Sequence, residues 1–162
     1  MHTEWDVGLV CLNGHITNSM SRSSPGRNTK FCDKCGDRTI DACPSCHALI
    51  RGRSCTYTCT GTAGCSMTLP MHCHECGKQY PWTQRRAGAL ADAIELLDEL
   101  TDSEKDKLIE SIPDVIQETP KTETAVARYR KAISKAGAIG GKLLTEVLVK
   151  VAAEVVVRSM GK

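Results

Sequence analysis

A chain of 162 residues has room for one or two small domains. Its ten cysteines all lie between Cys11 and Cys76, and two Trp, three Tyr and one Phe leave the first half too few large side chains for an ordinary core of its own. The formal net charge is only +2, and ions held on cysteine thiolates would bring it near −1, which argues against a protein whose main task is gripping phosphate backbones.

The N-terminal run from Met1 to Val7 has no charged start leading into an apolar stretch, so it is not a secretory signal. A reducing, cytoplasmic setting is expected, and there paired cysteines read as metal ligands rather than bridges. Four pairs follow in chain order: Cys11 with His15, then the Cys-x-x-Cys units Cys32/Cys35, Cys43/Cys46 and Cys73/Cys76. A spacer of two or three residues lets one tight turn aim both side chains at one ion, while a distant turn supplies the second pair, so eight ligands predict two tetrahedral zinc sites. Asn13-Gly14, Gly36 and Gly77 stand where the chain must turn through positive φ, and Pro44 pre-sets the turn inside its own pair. Sequential pairing puts Cys11, His15, Cys32 and Cys35 on one ion and Cys43, Cys46, Cys73 and Cys76 on the other. A cross-braced arrangement would interleave first with third and second with fourth. RING domains place a histidine within the central ligand run, whereas His15 belongs to the first pair, so the spacing favours tandem ribbons.

The runs Cys11-Leu12-Asn13-Gly14-His15, Phe31-Cys32-Asp33-Lys34-Cys35-Gly36, Cys43-Pro44-Ser45-Cys46 and Cys73-His74-Glu75-Cys76-Gly77-Lys78-Gln79-Tyr80-Pro81-Trp82-Thr83 together resemble a bacterial family of uncharacterised double-zinc-ribbon proteins. The resemblance covers about the first 86 residues and implies a metal-binding fold but no activity. Between Arg51 and Met71 the chain departs from that pattern: Cys55, Cys59 and Cys65 sit in a Thr-, Gly- and Ser-rich stretch, near His47, His72 and His74. A third metal site there is chemically reasonable, but a long loop with spare thiols is the preferred reading. A redox role for Cys43-Pro44-Ser45-Cys46 would require a βαβ unit, which the sequence does not offer.

Nucleic-acid binding has a modest basis in Arg22, Arg27 and Lys30, with Phe31, Tyr80 and Trp82 as stacking faces. It is not favoured, because those aromatics are the apolar residues this half needs to cover its metal turns.

Beyond Trp82 the composition becomes helical. Thr83 is expected to cap a first helix carrying Leu90, Ile94 and Leu97 and running to about Leu100. Thr101 with Glu104 forms a capping box for a second helix, which Pro113 should stop after Ile112. Pro120 precedes a third, with Val126, Tyr129 and Ile133, that ends near Gly137. From Ile139 to Val157 the chain is apolar except for Lys142, Thr145, Glu146, Lys150 and Glu154, with Arg158 following. Charges of alternating sign every fourth residue wind around such a helix, so its apolar surface needs neighbours on more than one side. A membrane span is rejected, because a central lysine costs roughly 2.5–3.5 kcal/mol to insert. No nucleophile with its base stands in this half.

The expected protein is therefore a pair of small zinc-stabilised, β-rich tandem zinc ribbons over residues 1–82, followed by an all-α helical domain over residues 83–162. It holds two Zn2+ ions and is non-enzymatic. It acts as an adaptor that meets a protein partner or its own copy through residues 138–158, with nucleic-acid binding the alternative and a metal- or thiol-dependent enzyme a distant third.

Overall fold

The computed structural model describes residues 5–56, 64–153 and 156–157. The chain divides into two compact units, Met1–Thr83 and Gln84–Lys162.

In the first unit short extended segments form two three-stranded antiparallel sheets. Strands β1 (Trp5–Val7), β5 (Arg51–Thr56) and β6 (Gly64–Ser66) make one, in the order β1-β5-β6; β2 (Leu9–Cys11), β3 (Ile16–Asn18) and β4 (Thr39–Ile40) make the other, in the order β3-β2-β4. The chain passes between sheets at Gly8, whose N–H donates to the Ile50 carbonyl at 2.9 Å. Gly52 lies so close beneath that a Cβ there would stand 2.5 Å from the Ser19 carbonyl oxygen and from Val7 backbone. A glycine is the one residue that admits this approach.

The core of the unit gathers Val10, Ile50, Tyr80 and Trp82 around the cysteines Cys43 and Cys73, two of the candidate ligands. Tyr80 and Trp82 stack with ring centroids 4.5 Å apart. Trp82 donates Nε1–H to the Pro70 carbonyl and Thr83 donates its hydroxyl to the Met71 carbonyl, both at 2.7 Å, so two buried polar groups are satisfied. These two aromatics are thus core residues and unavailable for stacking. Phe31 departs from the expectation that it would cover a metal turn: it is 62% exposed.

Cys55 and Cys65 sit opposite one another in β5 and β6, with Cα atoms 4.3 Å apart, and form a disulfide. A third metal site using both thiols is therefore not what this fold builds, and spare thiols is the wrong description of this pair. Cys59 lies outside the described residues.

The second unit is helical: α1 (Pro81–Glu95, beginning in the first unit), α2 (Asp102–Glu110), α3 (Ile112–Ile116), α4 (Thr122–Lys135) and α5 (Gly137–Val151). Helix α1 starts two residues earlier than Thr83, because proline's fixed φ suits a first helical position, and Thr83 spends its hydroxyl on Met71 instead of capping. It also ends at Glu95, with tight turns carrying the chain on to Leu100. The Thr101/Glu104 capping box is present. Pro113 does not merely stop α2 but opens α3, again near a helix start where its missing N–H costs nothing. The buried faces bring together Leu97, Leu108, Val115, Val126, Tyr129 and Leu144, and Tyr129 donates its hydroxyl to the Leu108 carbonyl at 3.0 Å.

Helix α5 is shorter than the segment expected from Ile139 to Val157. It stops at Val151, where Ala152 turns extended and Ala153 donates its N–H to the Val115 carbonyl at 2.8 Å. Val156 is then fully buried. Glu154, Val155 and Arg158 lie outside the described residues or side chains. Among the described residues no helix is long and apolar enough to cross a membrane.

Candidate metal centres

The three Cys-x-x-Cys pairs are built by the same local hydrogen-bond pattern. In the second pair the Cys32 N–H donates to the Asp37 carbonyl and the Gly36 N–H to the Cys32 carbonyl, each at 2.8 Å. In the third, Cys43 N–H donates to Ala48 and His47 N–H to Cys43, at 2.8 and 2.9 Å. In the fourth, Cys73 N–H donates to Lys78 and Gly77 N–H to Cys73, at 2.8 and 2.9 Å. Bridges Phe31 to Arg38, Ala42 to Leu49 and His72 to Gln79 close the three turns. The residue after the second cysteine has positive φ in all three: 72° at Gly36, 61° at His47 and 69° at Gly77. The first pair is a variant in which Cys11 N–H donates to the His15 carbonyl at 3.0 Å and Gly14, at φ 87°, donates to Cys11 at 2.8 Å. In each turn the first cysteine is buried and the partner near the tip is more exposed.

These turns meet in two clusters. Cys11, His15, Cys32 and Cys35 form one and Cys43, Cys46, Cys73 and Cys76 the other, and in each all four ligand atoms lie within 4.8 Å of one another. The grouping is sequential, not interleaved. In the first cluster His15 Nδ1 lies 3.5 Å from Cys11 Sγ and 3.6 Å from Cys32 Sγ, and Cys11 and Cys35 sulfurs are 3.7 Å apart. In the second, Cys43 to Cys76 is 3.8 Å and Cys46 to Cys73 is 3.5 Å. Either set could hold a metal ion. His47, His72 and His74 join no group of three or more donors among the described residues.

The surroundings act on the sulfurs in both directions, and burial pushes the Cys11 thiol up from its ordinary value despite the N–H aimed at it. The His15 N–H points at Cys11 Sγ at 3.2 Å and the Ser45 N–H at Cys43 Sγ at 3.4 Å. Asn13 Nδ2 donates to Cys35 Sγ at 3.4 Å, and this amide leads the groups that hold the Cys35 thiol down at about 6. In the second cluster burial works against ionisation of Cys73, but the N–H groups of Cys76 and Glu75 and the thiols of Cys46 and Cys76 bring it to about 6. Cys46 accepts a hydrogen bond from the Ala48 N–H, yet burial and the three neighbouring sulfurs push it up to about 12. Four sulfurs this close cannot all ionise without a cation among them, which is the electrostatic demand a divalent ion meets.

Asn13 is a positioning group that spacing alone marks only as a turn residue; its value as a sulfur donor depends on the first turn lying against the second. His47 occupies the place held by glycine in two sister turns, a signal visible once the three Cys-x-x-Cys units are aligned.

A family model described as "Uncharacterized protein conserved in bacteria (DUF2321)" matches residues 4–160. It takes in the helical unit as well as the cysteine-rich one, so the similarity extends well past the first 86 residues. No curated protein and no solved structure matches the chain.

Proposed function

The chain belongs to that bacterial family of uncharacterised proteins, and from this premise we propose that it is a non-enzymatic zinc-ribbon adaptor, in which two structural Zn2+ ions rigidify the first unit and the helical unit docks to a protein. The observation that carries the reading is the pair of closed four-donor clusters. Zinc bonds of about 2.3 Å to sulfur and about 2.0–2.1 Å to nitrogen give tetrahedral edges of about 3.8 Å and about 3.6 Å. The nearer donor pairs here lie at 3.5–3.8 Å. Three thiolates with an imidazole, and four thiolates, suit zinc chemically, and four protein donors leave no position for a reactive water. The work of the ions is then to fix turns whose apolar support is slight.

Docking is assigned to the outer side of α5, within residues 138–158. Ile139 is 88% and Val149 48% exposed, beside a Lys142–Glu146 pair at 3.9 Å. Val151, by contrast, is 5% exposed and belongs to the interior of its own unit. A cytoplasmic site suits the metal thiolates.

Purified protein should carry about two zinc equivalents, one for each four-donor set, and Cys11→Ser should carry about one, with anomalous scattering leaving that ion on the second cluster. Capture of a partner from host lysate should be lost in Ile139→Asp with zinc content unchanged. A chain that binds no zinc, or a partner indifferent to α5, would overturn the reading. Nucleic-acid recognition is the second reading, favoured by the exposed Phe31 ring near Lys30 and Lys34. Its signature is retention on single-stranded DNA that falls steeply with salt.

A further inference from the structure

Helices α2 and α4 of the second unit leave between them a groove of about 280 Å³. Leu100, Leu108 and Ala132 line it with apolar surface, and Lys107, Arg128 and Lys131 bring cationic groups to its rim. Of the lining charges, Glu104 is held by Lys135, at 2.5 Å between Nζ and Oε2. Lys107, Arg128 and Lys131 have no carboxylate partner among the described residues. The groove therefore presents a small apolar recess beside three unneutralised cations.

The same unit carries the matching shape and charge. The end of α1 and the turn after it expose Leu96 at 69%, an unusually bare leucine, with exposed carboxylates at Asp92, Glu95, Asp98 and Glu99 around it. Asp92, Asp98 and Glu99 pair with no cation among the described residues. A lone exposed leucine needs no explanation. An exposed leucine with four exposed carboxylates within four residues of it, in a chain that also holds an apolar recess lined by three unpaired cations, is complementary on both counts.

We propose that the α2/α4 groove receives the Leu96 turn of a second copy of this chain, so that the protein self-associates through an acidic knob and a basic recess. Knob and recess are neighbours on one surface: Leu96 precedes the lining residue Leu100 by four positions, and Lys105 of α2 donates to the Glu95 carbonyl at 2.8 Å. Adjacent complementary patches allow one two-fold contact in which each copy gives its knob and receives the other's, which closes a dimer rather than propagating a fibre. The inference rests on the reading of the chain as an interaction protein, but uses a surface separate from the outer side of α5.

The test uses full-length, zinc-loaded protein in sedimentation velocity at low salt. Wild-type chain should form a dimer whose dissociation constant rises at least about tenfold in 1 M salt, since surface charges are screened there. Two charge-reversed proteins, D92K/D98K and R128E/K131E, alter exposed side chains only and should retain the helical circular dichroism of wild type. Each alone sets like charges against each other and should weaken self-association at least about tenfold. Mixed in equal amounts they should associate again, because the acidified groove of one now meets the basic knob of the other. A monomeric wild type at high concentration, variants that dimerise as wild type does, or a mixture that stays monomeric would each overturn the proposal. Ile139→Asp separates the two readings: it should abolish partner capture and leave the dimer intact.

Discussion

At the level of single residues, three turns of one design differ at one place. Gly36 and Gly77 have open space where a Cβ would stand, so their φ values of 72° and 69° are the whole reason for glycine. His47 holds φ 61° with a side chain, at a cost of about 1 kcal/mol for an L-residue in the left-handed region. His47→Gly should therefore be neutral or raise the stability of the zinc-loaded protein by up to about 1 kcal/mol, while Gly36→Ala and Gly77→Ala lower it by about 1 kcal/mol. Guanidinium unfolding followed by tryptophan fluorescence reads all three, because Trp5 and Trp82 both lie in the first unit. Gly52→Ala should be far worse, since its Cβ would meet fixed backbone rather than a movable side chain. The eight sulfur and nitrogen donors were legible in the sequence because each pair is made by one local turn, whose spacing and glycines are written side by side. The Cys55–Cys65 bond was not, because it depends on two strands meeting in register across a long stretch rich in Thr, Gly and Ser.

At the level of elements, the capping box at α2 is also an electrostatic clamp. Lys135 first, then the N–H and hydroxyl of Thr101, hold the Glu104 carboxyl at about 2, below its ordinary 4.5. A carboxyl depressed in the folded state adds stability above its unfolded pKa and loses it as pH falls towards the folded one. Glu104→Gln should lower the melting temperature of the helical signal, in dilute protein, at every pH above 4.5, and the gap should close between pH 4.5 and about 2. Glycine marks a different constraint at the crossing of α4 and α5. A Cβ on Gly141 would lie 2.6 Å from the Ile133 carbonyl oxygen, whereas one on Gly88 of α1 would meet nothing. Gly88→Ala should thus stabilise by about 0.5–1 kcal/mol through helix propensity, and Gly141→Ala should destabilise despite the same propensity gain. Thermal unfolding by circular dichroism at 222 nm compares the pair. Four of the five helices were readable from the periodicity, while α3 was not because Pro113 reads as a stop as readily as a start, and helix ends moved wherever tertiary bonds outbid local signals. Thr83 turned to Met71, and Ala153 to Val115, and neither partner is visible in a local window.

At the level of the whole molecule, the two units owe their structure to different forces. The helical unit buries Leu, Ile, Val and Ala side chains from its helices, which is the ordinary hydrophobic route to stability. The first unit has Val10, Ile50, Tyr80 and Trp82 as its large core residues, and two candidate metal ligands, Cys43 and Cys73, are packed among them. Its core and its second metal cluster are thus one object, and structural zinc supplies folding free energy of order ten kcal/mol in small domains of this sort. Removing the metal with a strong chelator should therefore unfold the first unit: Trp82, now fully buried and stacked on Tyr80, would enter water and its emission would shift to the red. The signal at 222 nm should fall little, because most helical residues lie beyond Thr83 and hold no metal ligand. Helix α1 starts at Pro81, inside the first unit, with Trp82 and Thr83 bonded to Pro70 and Met71, so its opening turn should fray when that unit melts. Fluorescence and circular dichroism recorded on one chelator titration decide the matter: a red shift with a small helical loss fits separate stabilities, and helix lost in proportion to the red shift would mean that the zinc clusters hold both units as one cooperative structure.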